Sequence, residues 1–140
     1  MTPHDKIRIL LIEDDSADVI LTMEVFKSIG SPVEIHSVSE WDAALRYFEK
    51  NTCPDIILMD LNLPKRHGLE ILREIRGGMH LKRVPVIILT TSDNQSDIDA
   101  AYEAGANCFL TKPVGLTEFM ELARRLDEFW FKKAQWPSKP

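Results

Sequence analysis

The chain has 140 residues, 17 basic and 22 acidic, for a formal charge of −5. That is one domain's length, able to bury roughly two-thirds of its unfolded surface without disulfides or a structural metal. The acidic balance argues against a nucleic-acid partner, since no broad basic surface is available for a phosphate backbone.

In chain order, the apolar run Ile7–Ile12 predicts a first strand, and Val19, Leu21, Met23, Val25 and Phe26 mark a helix after it. Val33–Val38 alternates, as a strand nearer a sheet edge does, and Trp41, Ala44, Leu45 and Phe48 mark the second helix. Ile56–Met59 predicts the third strand, followed by Leu69, Leu72 and Ile75 on a helix ended by Gly77 and Gly78. Residues 86–89 predict the fourth strand, and Ile98, Ala101, Tyr102 and Ala104 a helix stopped by Gly105. Residues 108–110 predict the fifth strand. The last helix is expected over residues 116–130, with Phe119, Leu122, Leu126 and Phe129 on one stripe.

The first, third and fourth runs are nearly continuous in Ile, Leu and Val, as parallel strands buried on both faces are. Five strand–helix alternations with right-handed crossovers give an α/β fold, a five-stranded parallel sheet with helices on both faces. One domain is expected over residues 1–140, with its core at about 6–130 and a C-terminal arm at 131–140. The arm carries large apolar groups at Phe131 and Trp136; with Trp130 they need covering, by docking on the same chain or by reaching across a dimer. Cys53 and Cys108 are too few and too scattered for a disulfide framework or a zinc site, and read as half-buried thiols. No apolar run approaches the ~20 residues of a membrane span. Residues 1–6 lack a signal-peptide core, so the expected location is cytoplasmic, with no membrane partner.

In open parallel sheets, ligands bind outside the carboxyl ends of the strands. Glu13, Asp14 and Asp15 follow the first run, Asp60 closes the third, Thr90, Thr91 and Ser92 close the fourth, and Thr111, Lys112 and Pro113 follow the fifth. Three acids held close together repel unless a cation joins them, and Mg²⁺ suits one or two carboxylates with waters and a phosphoryl oxygen. Lys112 adds a positive charge and Thr90 a neutral donor, the set that stabilises a phosphoryl group in transit. A carboxylate can itself be the nucleophile, giving an aspartyl-phosphate. Asp60, at the end of a central strand between Met59 and Leu61, is best placed for that role.

These motifs resemble the receiver domains of two-component response regulators. The matching residues are Ile12, Glu13 and Asp14, the run from Leu58 through Asp60 to Pro64 with Gly68, Thr90 to Ser92, and Phe109 to Pro113. The resemblance implies a flavodoxin-like (βα)5 receiver that is not an enzyme but assists its own phosphorylation and dephosphorylation. Asp60 would accept the phosphoryl group from a sensor histidine kinase. Glu13, Asp14, Asp60 and the main-chain carbonyl of Asn62 would hold Mg²⁺. Thr90 and Lys112 would bind phosphoryl oxygens, Phe109 would be the aromatic switch, and the Lys112–Pro113 peptide would be cis. Asp15 would be an extra acid capping the first helix; the alternative register pairs Asp14 with Asp15. A narrower likeness, carried by Asp60 to Pro64, Gly105 to Phe109 and Glu128 to Trp130, is to the small phytochrome-associated response regulators. It implies a light-sensing kinase, and a homodimer built through the fourth helix, fifth strand and last helix. That same face would report phosphorylation to a downstream protein, since no output domain is expected on this chain.

Two other chemistries fit less well. Phosphatases of the haloacid dehalogenase type need a general acid two residues after the nucleophile, where this chain has the amide Asn62. A nucleotide- or flavin-binding domain would put a phosphate loop after the first strand, where three acids stand here. His4, His36, His67 and His80 are dispersed, with no metal-ligand spacing. Lys65, Arg66, Lys82 and Arg83 read as solvated charges. Asn62 and Ser92 occupy positions that could tune the phosphoryl lifetime.

Overall fold

The computed structural model describes residues 6–50, 53–78 and 81–132. Trp136, His4, His80 and the arm from residue 133 lie outside them. Five strands, β1 (Ile7–Ile12), β2 (Val33–Val38), β3 (Ile56–Met59), β4 (Val86–Thr90) and β5 (Cys108–Thr111), alternate with five α-helices. These are α1 (Ser16–Ser28), α2 (Trp41–Lys50), α3 (Gly68–Gly77), α4 (Gln95–Glu103) and α5 (Leu116–Leu126). All strand pairs are parallel, in the order β2-β1-β3-β4-β5. This is the expected flavodoxin-like arrangement, with the alternating β2 at one edge.

The period of two along each strand divides the core into two layers. Leu10, Ile12, Ile57, Met59, Val86 and Ile88 face α2, α3 and α4, where Trp41, Ala44, Leu72 and Ile75 meet them. Ile7, Ile9, Leu11, Ile56, Leu58, Ile87 and Leu89 face α1 and α5, meeting Phe26, Phe119 and Leu126. With both faces covered, the central strands need apolar residues at every position, which is why their sequence shows no alternation.

Local chemistry sets the helix ends. Asp15 caps α1, accepting from the Ala17 and Asp18 N–H groups, as expected for the third acid of the row. Asn94 caps α4 through its side chain, and His67 caps α3 through Nδ1. Gly105 ends α4 with φ +108°, a conformation that favours glycine. Its carbonyl accepts from Arg76 Nε at 2.8 Å. The same guanidinium donates to the Val84 carbonyl at 2.7 Å and to Asn107 Oδ1 at 2.7 Å, clamping the end of α3 to the loops before β4 and β5.

The last helix departs from the expected stripe. After Leu126 the chain forms a π-helical turn, Asp127–Phe131. Bonding of the i→i+5 type widens the turn by a residue and changes which side chains point inward. Phe129 is therefore exposed, and Phe131 is buried instead, its ring 5.8 Å from that of Phe26. Asp127, also buried, accepts from Ser31 Oγ at 2.8 Å and pairs with Lys132 at 2.9 Å. At Phe131 the arm thus docks on its own chain.

Candidate functional site

The carboxyl ends of β1, β3, β4 and β5 bring together the residues expected there. Strand register does the positioning: the Asp60 N–H donates to the Ile12 carbonyl at 3.1 Å, and the Lys112 N–H to the Thr90 carbonyl at 2.7 Å. Asp60 thus lies between the ends of β1 and β4, just past the central strand. Its side chain is almost fully engaged. Oδ1 accepts from Thr90 Oγ1 at 2.8 Å and from the Asn62 N–H at 3.0 Å, and Oδ2 accepts from Lys112 Nζ at 3.0 Å. Burial opposes the charge, but the Asn62 N–H, the Thr90 hydroxyl and the ammonium hold Asp60 below the usual carboxylate range.

Lys112 is buried among acids. Besides Asp60 it bonds Glu13 and, at 2.9 Å, Asp18. Burial disfavours its charge, yet Glu13, Asp18 and Asp60 raise its pKa well above that of a free lysine. Glu13 takes the cost of this crowding. Burial pushes its pKa up to about 7 against the pull of the Lys112 ammonium, with the nearby Asp60 charge adding to the rise. Three carboxylates thus meet a single ammonium, and Asp14, next in the chain to Glu13, adds a fourth that is exposed. Among the described residues no three His, Cys, Asp or Glu side chains are already grouped as metal ligands.

The competing hydroxyls have other tasks. Ser92 Oγ donates to Asp97 Oδ2 at 2.6 Å and accepts from the Asn94 N–H, so it helps start α4. Thr91 is exposed, whereas Thr90 is fully buried beside Asp60. Phe109 is half-buried against the α3/α4 side of the core, and its N–H donates to the Tyr102 hydroxyl at 3.1 Å. Lys65 and Arg66 are exposed, as expected of solvated charges, and make surface ion pairs, Lys65 with Glu40 at 3.2 Å and Arg66 with Glu74 at 2.6 Å.

Two features differ from expectation. No cis peptide bond is present among the described residues, so Lys112–Pro113 is trans. The two isomers before proline differ by only about 0.5–1 kcal/mol, so local packing decides between them, and the trans bond here still delivers Nζ to Glu13 and Asp60. Asp18 is a site residue that the sequence motifs do not single out. The signal available is its place three residues after the helix-capping Asp15, in the turn of α1 that opens beside the strand ends.

The family model for the response regulator receiver domain matches residues 9–124. The chain belongs to this family. It works in two-component signalling, beside sensor histidine kinases, and its members are not classical enzymes. The receiver is 38% identical over 136 residues to response regulator Rcp1 of Synechocystis sp., covering 93% of this chain and 92% of Rcp1. The Mn²⁺-bound crystal structure of Rcp1 superimposes with a TM-score of 0.84 over 94% of this chain and 99% of Rcp1. The phosphorylated cyanobacterial phytochrome response regulator RcpA, 37% identical, gives a TM-score of 0.87 over 95% of this chain and 99% of RcpA. The receiver domain of sensor histidine kinase PA1611 from Pseudomonas aeruginosa, with magnesium coordinated in its active-site cleft, is 32% identical. It gives a TM-score of 0.69 over 86% of this chain and 96% of that domain. No α-helix among the described residues is long and apolar enough to cross a membrane.

Proposed function

We propose that Asp60 is the phosphoacceptor of this receiver and takes its phosphoryl group from a sensor histidine kinase of the phytochrome type. One observation carries the reading: the Asp60 carboxylate, at the end of the central strand, is held at both oxygens by Thr90, the Asn62 N–H and Lys112, donors that favour its charged form. A carboxylate kept charged and fixed is a competent nucleophile. Its oxygen attacks phosphorus, the bond from phosphorus to the donor imidazole nitrogen breaks, and an acyl phosphate forms on Asp60. The imidazole nitrogen leaves with the electron pair of its bond to phosphorus and takes up a proton. The carboxylate charge is consumed in the new O–P bond, and the phosphoryl oxygens bring their own negative charge to the site. Lys112 and Thr90, already within reach of Asp60, move to those oxygens and stabilise them.

The residues fit a hard divalent cation, because three acids surround one ammonium and the exposed Asp14 adjoins them. Glu13, Asp14, Asp60 and the Asn62 carbonyl would hold Mg²⁺. Bound there, it would neutralise carboxylate and phosphoryl charge. That relatives bind such ions, Mn²⁺ in Rcp1 and Mg²⁺ in the active-site cleft of the PA1611 receiver, supports a divalent cation here.

Once Thr90 turns to the phosphoryl group, the space beside it opens to the half-buried Phe109 ring, and the change is read at the face of α4, β5 and α5. That face exposes Tyr102 and Leu116, which suits a homodimer and a downstream protein. The likeness to Rcp1 and RcpA supports light as the kinase's input. Residues 1–140 would act as a single receiver domain in the cytoplasm. Phosphotransfer tests it: a phytochrome-type histidine kinase labelled with radioactive phosphate should pass the label to the chain within minutes, and Asp60→Asn should abolish transfer. Equal labelling of the variant would exclude Asp60 as the acceptor.

A further inference from the structure

An ammonium has three N–H donors, and those of Lys112 meet three carboxylates, Glu13, Asp60 and Asp18. Glu13 and Asp60 are buried at strand ends. Asp18 comes from α1, with its side chain 32% exposed at the rim of the site, and the proposed transfer gives it no task. Its position is nonetheless prepared. Asp15 Oδ1 accepts from the Ala17 and Asp18 N–H groups at 2.9 and 3.2 Å, which fixes the first turn of α1. Thr22 Oγ1 donates to the Asp18 carbonyl at 2.7 Å, which ties that turn to the next. The positive end of the helix dipole favours an anion there.

We propose that Asp18 is a positioning residue that anchors the Lys112 ammonium while its bond to Asp60 is exchanged for one to a phosphoryl oxygen. The inference rests on the phosphoacceptor reading above. During transfer a bond forms between an Asp60 oxygen and phosphorus, the donor's bond to phosphorus breaks, and the leaving group takes that electron pair. The Asp60 oxygen gives up its charge to the new O–P bond while the phosphoryl oxygens bring theirs to the site, so Lys112 must let go of Asp60 Oδ2 and take up one of them. A lysine side chain freed at its tip regains many rotamers. Glu13 alone would fix a distance but not a direction. Glu13 and Asp18 together, on two different elements, hold Nζ in place, so its ordering is not repeated in the transition state.

The test compares wild type with Asp18→Ala and Asp18→Asn in two measurements. The first is the rate at which acetyl phosphate with Mg²⁺ adds a phosphoryl group to Asp60. The second is hydrogen exchange at Lys112 Nζ, followed by ¹⁵N NMR in the metal-free protein. Asp18→Ala should slow the saturating rate on the order of tenfold, the scale of one charge-assisted hydrogen bond partly screened by water. Its half-saturating donor concentration should stay within about twofold, and Nζ exchange should quicken on the order of tenfold. Asp18→Asn keeps an acceptor oxygen and should recover much of both. A merely structural role would lower the unfolding midpoint and move neither readout, which would overturn the anchor. A phosphorylated wild type matched in rate and exchange by Asp18→Ala would overturn the anchor alone. A wild type that forms no adduct would overturn the phosphoacceptor reading and the anchor with it.

Discussion

Replacing Gly68 by alanine probes how closely α3 presses on the loop that carries Asp60. A Cβ at residue 68 would lie 2.7 Å from Leu61 Cα and 2.8 Å from the Asp60 carbonyl oxygen. Both are backbone atoms and cannot swing aside. Ordinary contact begins near 3.4 Å, so helix and loop must part by about 0.7 Å. The Asn62 N–H bond to Asp60 Oδ1 is 3.0 Å and the Gly68 N–H bond to the Leu61 carbonyl is 2.8 Å. A displacement of that size along either takes it beyond the ~3.2 Å reach of an N–H···O bond. Overpacking of this kind costs about 1–3 kcal/mol, whereas alanine in place of a helical glycine returns at most about 1 kcal/mol. Sterics should win by about 1–2 kcal/mol, lowering Tm by about 3–8 °C for a chain of this size. Phosphorylation of Asp60 should suffer more, by about tenfold or beyond, because a nucleophile tolerates little misplacement. Calorimetry and a small-donor phosphorylation assay on one preparation measure both effects. A Gly68→Ala protein as stable and as reactive as wild type would refute the close approach as the device that sets the Asp60 loop.

Lys112→Met leaves Glu13 and Asp60 buried with no cation between them. Urea unfolding should show a loss of about 3 kcal/mol at pH 8, shrinking as pH falls through about 7, where Glu13 takes up its proton, and further in acid as Asp60 does. In wild type without metal, Glu13 has a folded pKa of about 7 against an ordinary 4.5. Its contribution is therefore complete below pH 4.5 and lost as pH rises through 7, by up to about 3 kcal/mol. Asp60, shifted downward, acts in the opposite sense, contributing above its unfolded pKa and losing that contribution as pH falls through its folded one. Thermal scans in chelator from pH 5 to 8 should show a falling Tm, and Glu13→Gln should flatten it; an unchanged slope would contradict the assignment. Arg76→Ala removes the clamp on Gly105, Val84 and Asn107 and should cost about 2–3 kcal/mol. Faster amide exchange at Val86 and Asn107 would accompany it, and protection equal to wild type would show that water replaces the guanidinium.

The sheet was legible in the sequence because three of its strands are covered on both faces, so Ile7–Ile12, Ile56–Met59 and the run at Val86 are apolar at nearly every position. The gathering of Asp60, Thr90 and Lys112 was legible because parallel strands deliver their carboxyl ends to one edge. In the acidic row the resemblance set Asp15 apart as the extra acid, and in the structure its side chain caps α1 while Glu13 faces Lys112. Asp18 was not legible, because its contact depends on how α1 crosses the sheet relative to β5, and Lys112 lies far along the chain. The burial of Phe131 in place of Phe129 was hidden by a π-helical turn that no helical period announces. Arg76 was equally silent, since its partners are mostly main-chain carbonyls of two loops. The isomer of Lys112–Pro113 turns on a small energy difference that packing, and not composition, decides.

The most direct test of the central claim is intact-protein mass spectrometry after treatment with a small phosphodonor, with and without Mg²⁺, beside Asp60→Ala. A single Mg²⁺-dependent phosphoryl adduct in wild type, absent from the variant, is the predicted result. A folded wild-type protein that takes up no phosphoryl group, or an Asp60→Ala protein that takes up as much, would contradict it.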